Sequence, residues 1–278
     1  PAEIRGVVKD YAATETTKTV SSIWTEGDAI GVTTAAGISK ISYIMTDDRN
    51  VKYAYNAEKD VFQVVSKEGE DHTIYFKGPY TMSMTAYAPY TGERGTLAGV
   101  IQASTTSEKQ VGTARATIDF LYAEGGGSQT NPRVEFQFFH KMSQLVLAFK
   151  AGGGLELDDI SYTLKNIILD GSFDTSAGSV ASGKTTGNIN MSLAKGKEMN
   201  SSVIVFPQKL ASTLLLELAM GGKTYAQPIG NGIDLISGNT YIFDVTIAPQ
   251  SMTVSPAKIE DWIWGENSDH YVIAGESE

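Results

Sequence analysis

The sequence predicts an all-β fold, and three observations support this prediction. Apolar and polar residues alternate with a period of two in several segments, most clearly in RVEFQFF (133–139) and TYIFDVTI (240–247). Such alternation is typical of strands that bury one face and expose the other. Turn residues, among them 28 glycines, separate these segments at intervals of roughly 8–12 residues, as in antiparallel sandwiches. The sequence contains no long amphipathic helical pattern.

The alternation also predicts which side chains face the core. It extends to GNINMSL (187–193) and TLLLELAM (213–220), while VFQVVSK, TIYFKG and MSMTAYA (61–67, 73–78 and 82–88) are further short strands. The predicted core residues are Val134, Phe136, Phe138, Ile189, Met191, Leu193, Leu214, Leu216, Leu218, Met220, Tyr241, Phe243, Val245 and Ile247. One short helix is predicted, over residues 113–124.

A glycine-rich stretch divides the chain. EGGGSQTNPR (124–133) has three consecutive glycines followed by Ser, Asn and Pro, a composition that is flexible and resists burial. It is either a long hairpin loop or a domain boundary. We favour the boundary, which gives an N-terminal β-sandwich domain of residues 1–127 and a C-terminal β-sandwich domain of residues 128–278.

Composition excludes several classes of function. The formal net charge of −10, from 22 basic and 32 acidic residues, argues against nucleic acid as a partner. The absence of cysteine excludes disulfides, thiolate catalysis and cysteine-ligated zinc. No run approaches the roughly 18 apolar residues of a membrane helix. No signal peptide is visible, and because Pro1 starts the chain we expect that a targeting segment has been removed.

One motif points to nucleotide chemistry. GSVASGKT (178–185) matches the phosphate-loop pattern G-x-x-x-x-G-K-[ST]. A working phosphate loop enters a helix whose N-terminus holds the phosphates. Here the next residues include Gly187, Asn188 and Asn190, which are poor helix formers, and they alternate as a strand does. We therefore predict no nucleotide partner and interpret Lys184 as a solvated loop lysine.

Other catalytic and metal-binding patterns are weak. His72, His140 and His270 are far apart in the sequence, and no hydrolase motif occurs. The acidic turns TDDRN (46–50) and DGSFD (170–174) lack calcium-loop spacing. We predict no catalytic residue, no metal and no cofactor, and no enzymatic activity. A jelly-roll glycosidase stays an open alternative, since its two carboxylates are set in space rather than in sequence.

Aromatic residues raise a second alternative, a surface carbohydrate-binding β-sandwich module. Trp262 and Trp264 alternate with Ile263, so both point to one strand face. If exposed, they could stack on sugars, as could Tyr53 and Tyr55. Core packing or an intersubunit contact is the interpretation we favour.

The segment IWTEGDAIGV (23–32) resembles the fimbrillin family, the pilins of type V pili of Gram-negative bacteria. The family pattern is Trp or Phe, a short gap, then Gly-Asp-x-Ile-Gly-Val. The residues that match it are Trp24, Gly27, Asp28, Ile30, Gly31 and Val32. Further similar segments follow in the family's order: AYAPY (86–90), VIQASTTS (100–107), DFLYA (119–123), FQFFHKMSQLVLAF (136–149, with His140), VFPQ (205–208), GNTYIFDVTI (238–247) and IEDW (259–262).

The resemblance implies a fold and a function. The fold would be two transthyretin-like antiparallel β-sandwich domains. The protein would be a structural or adhesive subunit of a cell-surface type V pilus at the outer membrane, exported as a lipoprotein precursor. Its partners would be other pilus subunits, joined by strand exchange, and a host surface protein or glycan. The signal and the lipid-anchor cysteine of such a precursor are absent from this chain.

The resemblance also implies processing. Family subunits are cut after an arginine shortly before the Trp motif, which removes the first strand and opens a groove for a neighbour's strand. This chain reads TETTKTVSSIW (14–24) there. Lys18 is the only basic residue of that stretch, and Arg5 lies further upstream. This departure favours a tip or anchor subunit that keeps its first strand.

The C-terminal segment is the candidate donor strand. Pro249 and Pro256 interrupt ladder pairing, so the segment after residue 248 suits a sheet edge or a mobile arm. An edge groove binds such an arm through main-chain hydrogen bonds, with alternate side chains in pockets. The candidate assembly residues are Met252, Val254, Ile259, Trp262 and Trp264. The alternative is a final strand pair that stays packed on its own domain.

Overall fold

The computed structural model describes residues 1–8, 24–34, 48–76, 79–196 and 199–262, and these confirm the predicted all-β fold. The strands are β1 (Glu3–Val8), β2 (Ala29–Thr34), β3 (Val51–Asn56), β4 (Val61–Val64), β5 (Met82–Ala88), β6 (Val100–Ser104), β7 (Leu121–Gly127), β8 (Arg133–His140), β9 (Ser143–Ala151), β10 (Ile160–Ile168), β11 (Asp170–Asp174), β12 (Ser179–Ser182), β13 (Thr186–Leu193), β14 (Met199–Val205), β15 (Leu215–Met220), β16 (Lys223–Pro228), β17 (Asn239–Ala248), β18 (Ser251–Val254) and β19 (Lys258–Asp261). Two short 3-10 helices cover Ser107–Lys109 and Gly112–Thr117. Within the described ranges, no helix has the length and apolar character that a membrane crossing requires.

The chain divides into two compact units. Unit 1 contains Pro1–Ile101, Phe120–Lys141 and Phe173–Ser179, and unit 2 contains Gln102–Asp119, Met142–Ser172 and Val180–Glu278. This division differs from the contiguous one predicted at residues 127 and 128. The physical reason is strand pairing: β7 and β8, on either side of that point, pair with each other, with Leu121 opposite His140.

Unit 1 is a closed barrel. Its strand order is β1-β4-β3-β2-β5-β7-β8. The barrel is closed by a parallel pair, β1 with β8, in a register that runs from Glu3 opposite Arg133 to Val8 opposite Phe138. The predicted inward-facing residues of β8, Val134, Phe136 and Phe138, are all fully buried.

Unit 2 contains two larger sheets and one core. The sheets have the orders β13-β10-β15-β16 and β14-β9-β17-β18, and β19 also pairs with β17. The central pair β9 and β17 is parallel, unlike the antiparallel pairs that the sequence predicts. All the predicted core residues of the segments 187–193, 213–220 and 240–247 lie in the core cluster of this unit. A three-stranded sheet has the order β12-β11-β6.

Two local predictions are wrong. The helix expected over residues 113–124 is a 3-10 helix that ends at Thr117, and β7 begins at Leu121. Pairing of β7 along the whole of β5 overrides the local helical preference, as long-range contacts often do. Residues 73–76 form no strand, although Ile74 is fully buried.

Candidate functional site

The residues of the Trp–Gly-Asp-x-Ile-Gly-Val motif first build a turn. Gly27 has a φ of 89°, which glycine adopts without steric cost. The Asp28 carboxylate accepts a hydrogen bond from the Thr25 amide at 2.8 Å, and the Asp28 amide donates to the Thr25 carbonyl at 3.0 Å. Gly27 and Asp28 therefore have local structural roles that fix how the chain enters β2.

The remaining motif residues belong to the core of unit 1. Trp24, Ile30 and Val32 are all buried. Gly31 lies between them, and a Cβ atom there would stand 2.5 Å from Asn50 Oδ1 and closer still to the Tyr87 ring. The motif needs glycine at this position because two buried side chains occupy the space.

Those two side chains form a polar network. The Tyr87 hydroxyl donates to Asn50 Oδ1 at 2.8 Å, and Asn50 Nδ2 donates to the carbonyls of Thr91 and Glu93 at 2.9 and 3.2 Å. Burial raises the pKa of Tyr87 to about 12, so its hydroxyl remains a neutral donor. The network fastens the loop after β5 to the start of β3.

Trp24 joins the motif to the first strand. Its indole Nε1 donates to the Gly6 carbonyl of β1 at 3.0 Å. The ring packs edge-on against Phe62 of β4 and Phe138 of β8, with centroids 5.1 and 5.2 Å apart. Trp24 therefore contacts β1 and both of the strands that flank it.

We call the space that β1 fills between β4 and β8 the β1 slot. Its inward-facing occupants are Ala2, Ile4, Gly6 and Val8, all of them buried. A Cβ atom at Gly6 would stand 2.9 Å from both Phe62 Cε2 and Phe138 Cε2, closer than real Cβ contacts. An occupant of the slot in this register must therefore have glycine where its chain crosses the two rings.

Sequence reasoning missed Gly6 and Phe62. A signal was present, because Gly6 occupies an inward-facing position of the alternating segment EIRGVV (3–8), and a glycine within a strand often marks a close approach by a neighbouring group. The segment is short and starts the chain, so its alternation was too brief to stand out.

The structure describes only one of the two candidate processing residues. Arg5 lies within β1, opposite Glu135 of β8, and is half-buried. Proteases prefer exposed loop tips, so pairing protects Arg5 while β1 remains in the slot. Lys18 lies outside the described residues.

The C-terminal strands form one interrupted edge along β17 in unit 2. β18 pairs with residues 245–248 and β19 with residues 239–242. Between them, Ser255, Pro256 and Ala257 lie outside both strands, and Pro249 lies in the turn before β18. The prolines thus fall outside the ladders.

The candidate assembly residues of this edge divide into buried and exposed. Met252 and Trp262 are buried, Val254 is half-buried, and Ile259 is 57% exposed. Trp264 lies outside the described residues. Met252 belongs to the core of unit 2, so the segment packs on its own unit.

Asp244 bridges the interruption. Its carboxylate accepts hydrogen bonds from Lys150 Nζ at 2.7 Å and Lys258 Nζ at 3.1 Å, and these bonds hold the pKa of Asp244 below its ordinary value. The Asp244 amide donates to Ser255 Oγ and its carbonyl accepts from the Ser255 amide, both at 2.9 Å. Asp244 of β17 is thereby bonded to β9, to β19 and to Ser255, which lies between β18 and β19.

Asp244→Asn is expected to lower stability at pH 7 by up to about 1 kcal/mol. Since the folded-state pKa of Asp244 is lowered, its contribution is complete above the unfolded value of about 3.9 and is lost as pH falls through the folded-state pKa. The difference in urea stability between wild type and variant should therefore be larger at pH 7 than at an acid pH below the unfolded-state pKa. An equal difference at both pH values would contradict this account. Glu260→Gln, which changes an exposed carboxylate of β19, is the control.

The phosphate-loop match has a different structure from a nucleotide site. As predicted, a strand, β13, follows Thr185. The Asp170 carboxylate accepts hydrogen bonds from the Thr185 amide at 2.8 Å and hydroxyl at 3.1 Å, and the Gly183 amide donates to the Asp170 carbonyl at 2.8 Å. Asp170 thus takes up the amide and hydroxyl of Thr185 and the amide of Gly183, and Lys184 is exposed.

The remaining histidine and acidic candidates lie in the following surroundings. His140 is buried at the end of β8. His72 Nε2 is 2.5 Å from Glu70 Oε2, and Asp174 Oδ1 accepts from the amides of Ser176 and Ala177. Among the residues that the structure describes, no group of three or more His, Cys, Asp or Glu side chains could hold a metal ion.

The aromatic candidates for sugar stacking are also buried. Tyr53 and Tyr55 are 2% and 6% exposed, and Trp262 is 7% exposed. Stacking on a sugar requires an accessible ring face, which these three rings do not present.

In the described part of this all-β chain, β1 completes a barrel at its seam, and β18 and β19 complete a sheet at its edge. The sequence model of the Fimbrillin-like family matches residues 13–262. The chain belongs to this family, which confirms the resemblance seen in the sequence.

Similarity to individual proteins agrees with this family membership. The chain is 27% identical over 265 residues to a Bacteroides uniformis protein described as "Putative fimbrium subunit Fim1C", covering 90% of this chain and 82% of that protein. The crystal structure of a "putative cell adhesion protein" from Bacteroides ovatus superposes with a TM-score of 0.85 at 33% identity, covering 96% of this chain and 99% of that one. A second one, from Bacteroides uniformis, has the same fold, with a TM-score of 0.69, 22% identity and coverage of 94% and 97%.

Proposed function

We propose that the chain is a structural and adhesive subunit of a type V pilus on the cell surface. In this proposal it is exported as a lipoprotein precursor to the outer membrane and joins other pilus subunits by strand exchange. It acts through contacts with these subunits and with a host surface, without catalysis or a cofactor. The observation that carries the proposal is the C-terminal edge along β17, formed by β18 and β19, in a chain of the Fimbrillin-like family.

The construction of the β1 slot would also permit strand exchange if β1 were removed. Most of the slot comes from residues outside β1: Trp24, Phe62 and Phe138 form its floor, and β4 and β8 form its sides. Removal of β1 would leave these parts in the same barrel with two unpaired strand edges. Such edges bind an extended segment through main-chain hydrogen bonds.

The environment of Arg5 bears on the role within the pilus. Because pairing with β8 protects Arg5, and because Lys18 is the only basic residue between residues 14 and 24, cleavage before the Trp motif is not favoured. A subunit that keeps its first strand cannot receive a strand in its slot. This supports a tip or anchor position, at one end of the pilus, with the C-terminal edge as the part that it donates.

Deletion from Ser251 onward is expected to abolish incorporation into pili on cells, because it removes the donated strands. Surface pili are isolated and the subunit is quantified in them, while export and folding are followed in the same cells. A truncated chain that folds, is exported and still polymerises like the full protein would rule out the donor role.

A single substitution separates assembly from folding. Ile259 is 57% exposed, so Ile259→Asp should leave the melting temperature unchanged. A donated strand fills pockets with alternate apolar side chains, so the same change should lower incorporation about tenfold, the effect of roughly 1.4 kcal/mol of lost binding. Glu260→Gln, on the next residue, should leave incorporation unchanged. Normal incorporation of Ile259→Asp would exclude Ile259 from the interface.

A further inference from the structure

Unit 2 has two edge strands that follow each other in the chain. β13 ends one sheet and β14 ends the other. The outward-facing amides and carbonyls of an edge strand are a template for pairing with another chain. Proteins that assemble by strand addition therefore need a means of closing the edges that must not pair.

A buried glutamine completes the outer side of β14. Gln110 is fully buried, its Oε1 accepts from the Ile204 amide at 2.8 Å, and its Nε2 donates to the Ile204 carbonyl at 2.9 Å. In an antiparallel ladder, two paired residues exchange the same two bonds. The side-chain amide of Gln110 thus takes the place of a neighbouring strand. Its Nε2 also donates to the Thr105 carbonyl at 2.9 Å.

Two further side chains of the same segment act beside it. Arg115 Nη1 donates to the Ser202 carbonyl of β14 at 2.8 Å, and its Nη2 donates to Ser202 Oγ at 2.9 Å. Ser107 Oγ accepts from the Asn190 amide of β13 at 2.9 Å. We call Ser107, Gln110 and Arg115 the edge seal.

The edge seal is fixed to unit 2 independently of these bonds. The Thr105 amide donates to the Leu169 carbonyl at 2.8 Å, and Val111 packs against the core of the unit. The two short 3-10 helices between residues 107 and 117 place three side chains at two edges. A regular strand in that place would pair with β14 alone and would present a new edge of its own.

We propose that the edge seal blocks strand addition at β14 and that the partner it excludes is a second copy of this chain. Once unsealed, β14 pairs with β14 of another copy in an antiparallel, self-complementary contact. The exclusion itself does not depend on the pilus assignment. Under that assignment, it removes β14 as a competitor of the edge formed by β18 and β19.

The chain provides a matched control in Gln208. Its Oε1 accepts from the Ile168 amide at 2.9 Å and its Nε2 donates to the Ile168 carbonyl at 3.0 Å, so it makes the same pair of bonds. Ile168 is the last residue of β10 and lies beyond residues 160–165, which are the part of β10 that pairs with β15. Loss of Gln208 therefore removes equivalent bonds but exposes only one residue at a strand end, not the length of an edge strand.

The test uses three forms of the full chain: the seal variant, which carries both Gln110→Leu and Arg115→Met; the control Gln208→Leu; and wild type. Their association is measured by light scattering after size-exclusion chromatography over a concentration series. The seal variant is expected to associate at about tenfold lower concentration than the other two. Adding Ser202→Pro to it, which removes an edge amide of β14, should restore the wild-type behaviour. The proposal is overturned if the folded seal variant associates no more than wild type, or if Gln208→Leu associates equally.

A second measurement needs no variant. Hydrogen exchange of the wild-type Ile204 amide should be as slow as that of the amides of β14 that pair with β9, although it lies on an edge. Exchange at the rate of an open edge would also overturn the proposal. These outcomes are separate from incorporation of the Ser251 deletion into pili, so failure of the seal and failure of the pilus assignment are distinguishable.

Discussion

Replacement of Trp24 by alanine is expected to destabilise unit 1 by about 3–5 kcal/mol. The indole is buried, packs edge-on against Phe62 and Phe138, and donates to the Gly6 carbonyl of β1. Its removal leaves a cavity under β1 and takes away a hydrogen bond to the Gly6 carbonyl in the barrel seam. Urea denaturation followed by circular dichroism measures the loss, and a melting temperature equal to that of wild type would contradict the prediction.

Trp24→Phe separates the two contributions. It retains a ring against Phe62 and Phe138 and loses the hydrogen bond to Gly6. The expected loss in the free energy of unfolding is therefore about 1–2 kcal/mol smaller for Trp24→Phe than for Trp24→Ala. If phenylalanine costs as much as alanine, the hydrogen bond rather than the packing dominates.

Gly31→Val is expected to have the second largest effect, a loss of about 3 kcal/mol from overpacking. The new side chain would collide with the Tyr87 ring and Asn50 Oδ1, both buried, and would break the bonds that hold the loop after β5. Equilibrium denaturation gives the value. In a double-mutant cycle with Tyr87→Leu, which clears space beside Gly31, the two losses should be clearly less than additive. Full additivity would show that the collision with Tyr87 is not the cause.

The alternation of apolar and polar residues was sufficient to predict which side chains face each core. Phe136 of β8 and Phe243 of β17 illustrate this, since both are buried as predicted. A period of two is a local property of a strand, so neighbouring residues carry all the information. The same local pattern predicted the strand after Thr185 in place of a phosphate-binding helix.

Strand partners could not be predicted in the same way. The alternation in β1 says which residues point inward, but not that β8, about 130 positions later in the register, lies beside it. The helix predicted over residues 113–124 failed for a related reason, since pairing with β5 decided the conformation of its second half. The discontinuous units arise from the same long-range pairing.

The candidate site was only partly accessible from sequence. Gly27, Asp28 and Gly31 stand in a short motif whose resemblance to a family is visible in the chain itself. Gln110 and Arg115 are isolated polar residues in a segment without periodicity, and their partners on β14 lie 94 and 87 residues later. Their roles can be identified only from their hydrogen bonds to the outer side of β14 in the folded structure.

The interruption between β18 and β19 has a kinetic consequence. Each half pairs with β17 over four residues, so neither half has to open for the other to open. All four side chains of β19 are exposed, whereas β18 anchors Met252 in the core. Opening of either half is therefore a local event that involves four residue pairs, and release of β19 also requires the buried Trp262 that follows it to leave its site. If this edge is the part that is donated in a pilus, as proposed above, its exchange can proceed in two short stages and does not require the concerted rupture of eight pairs.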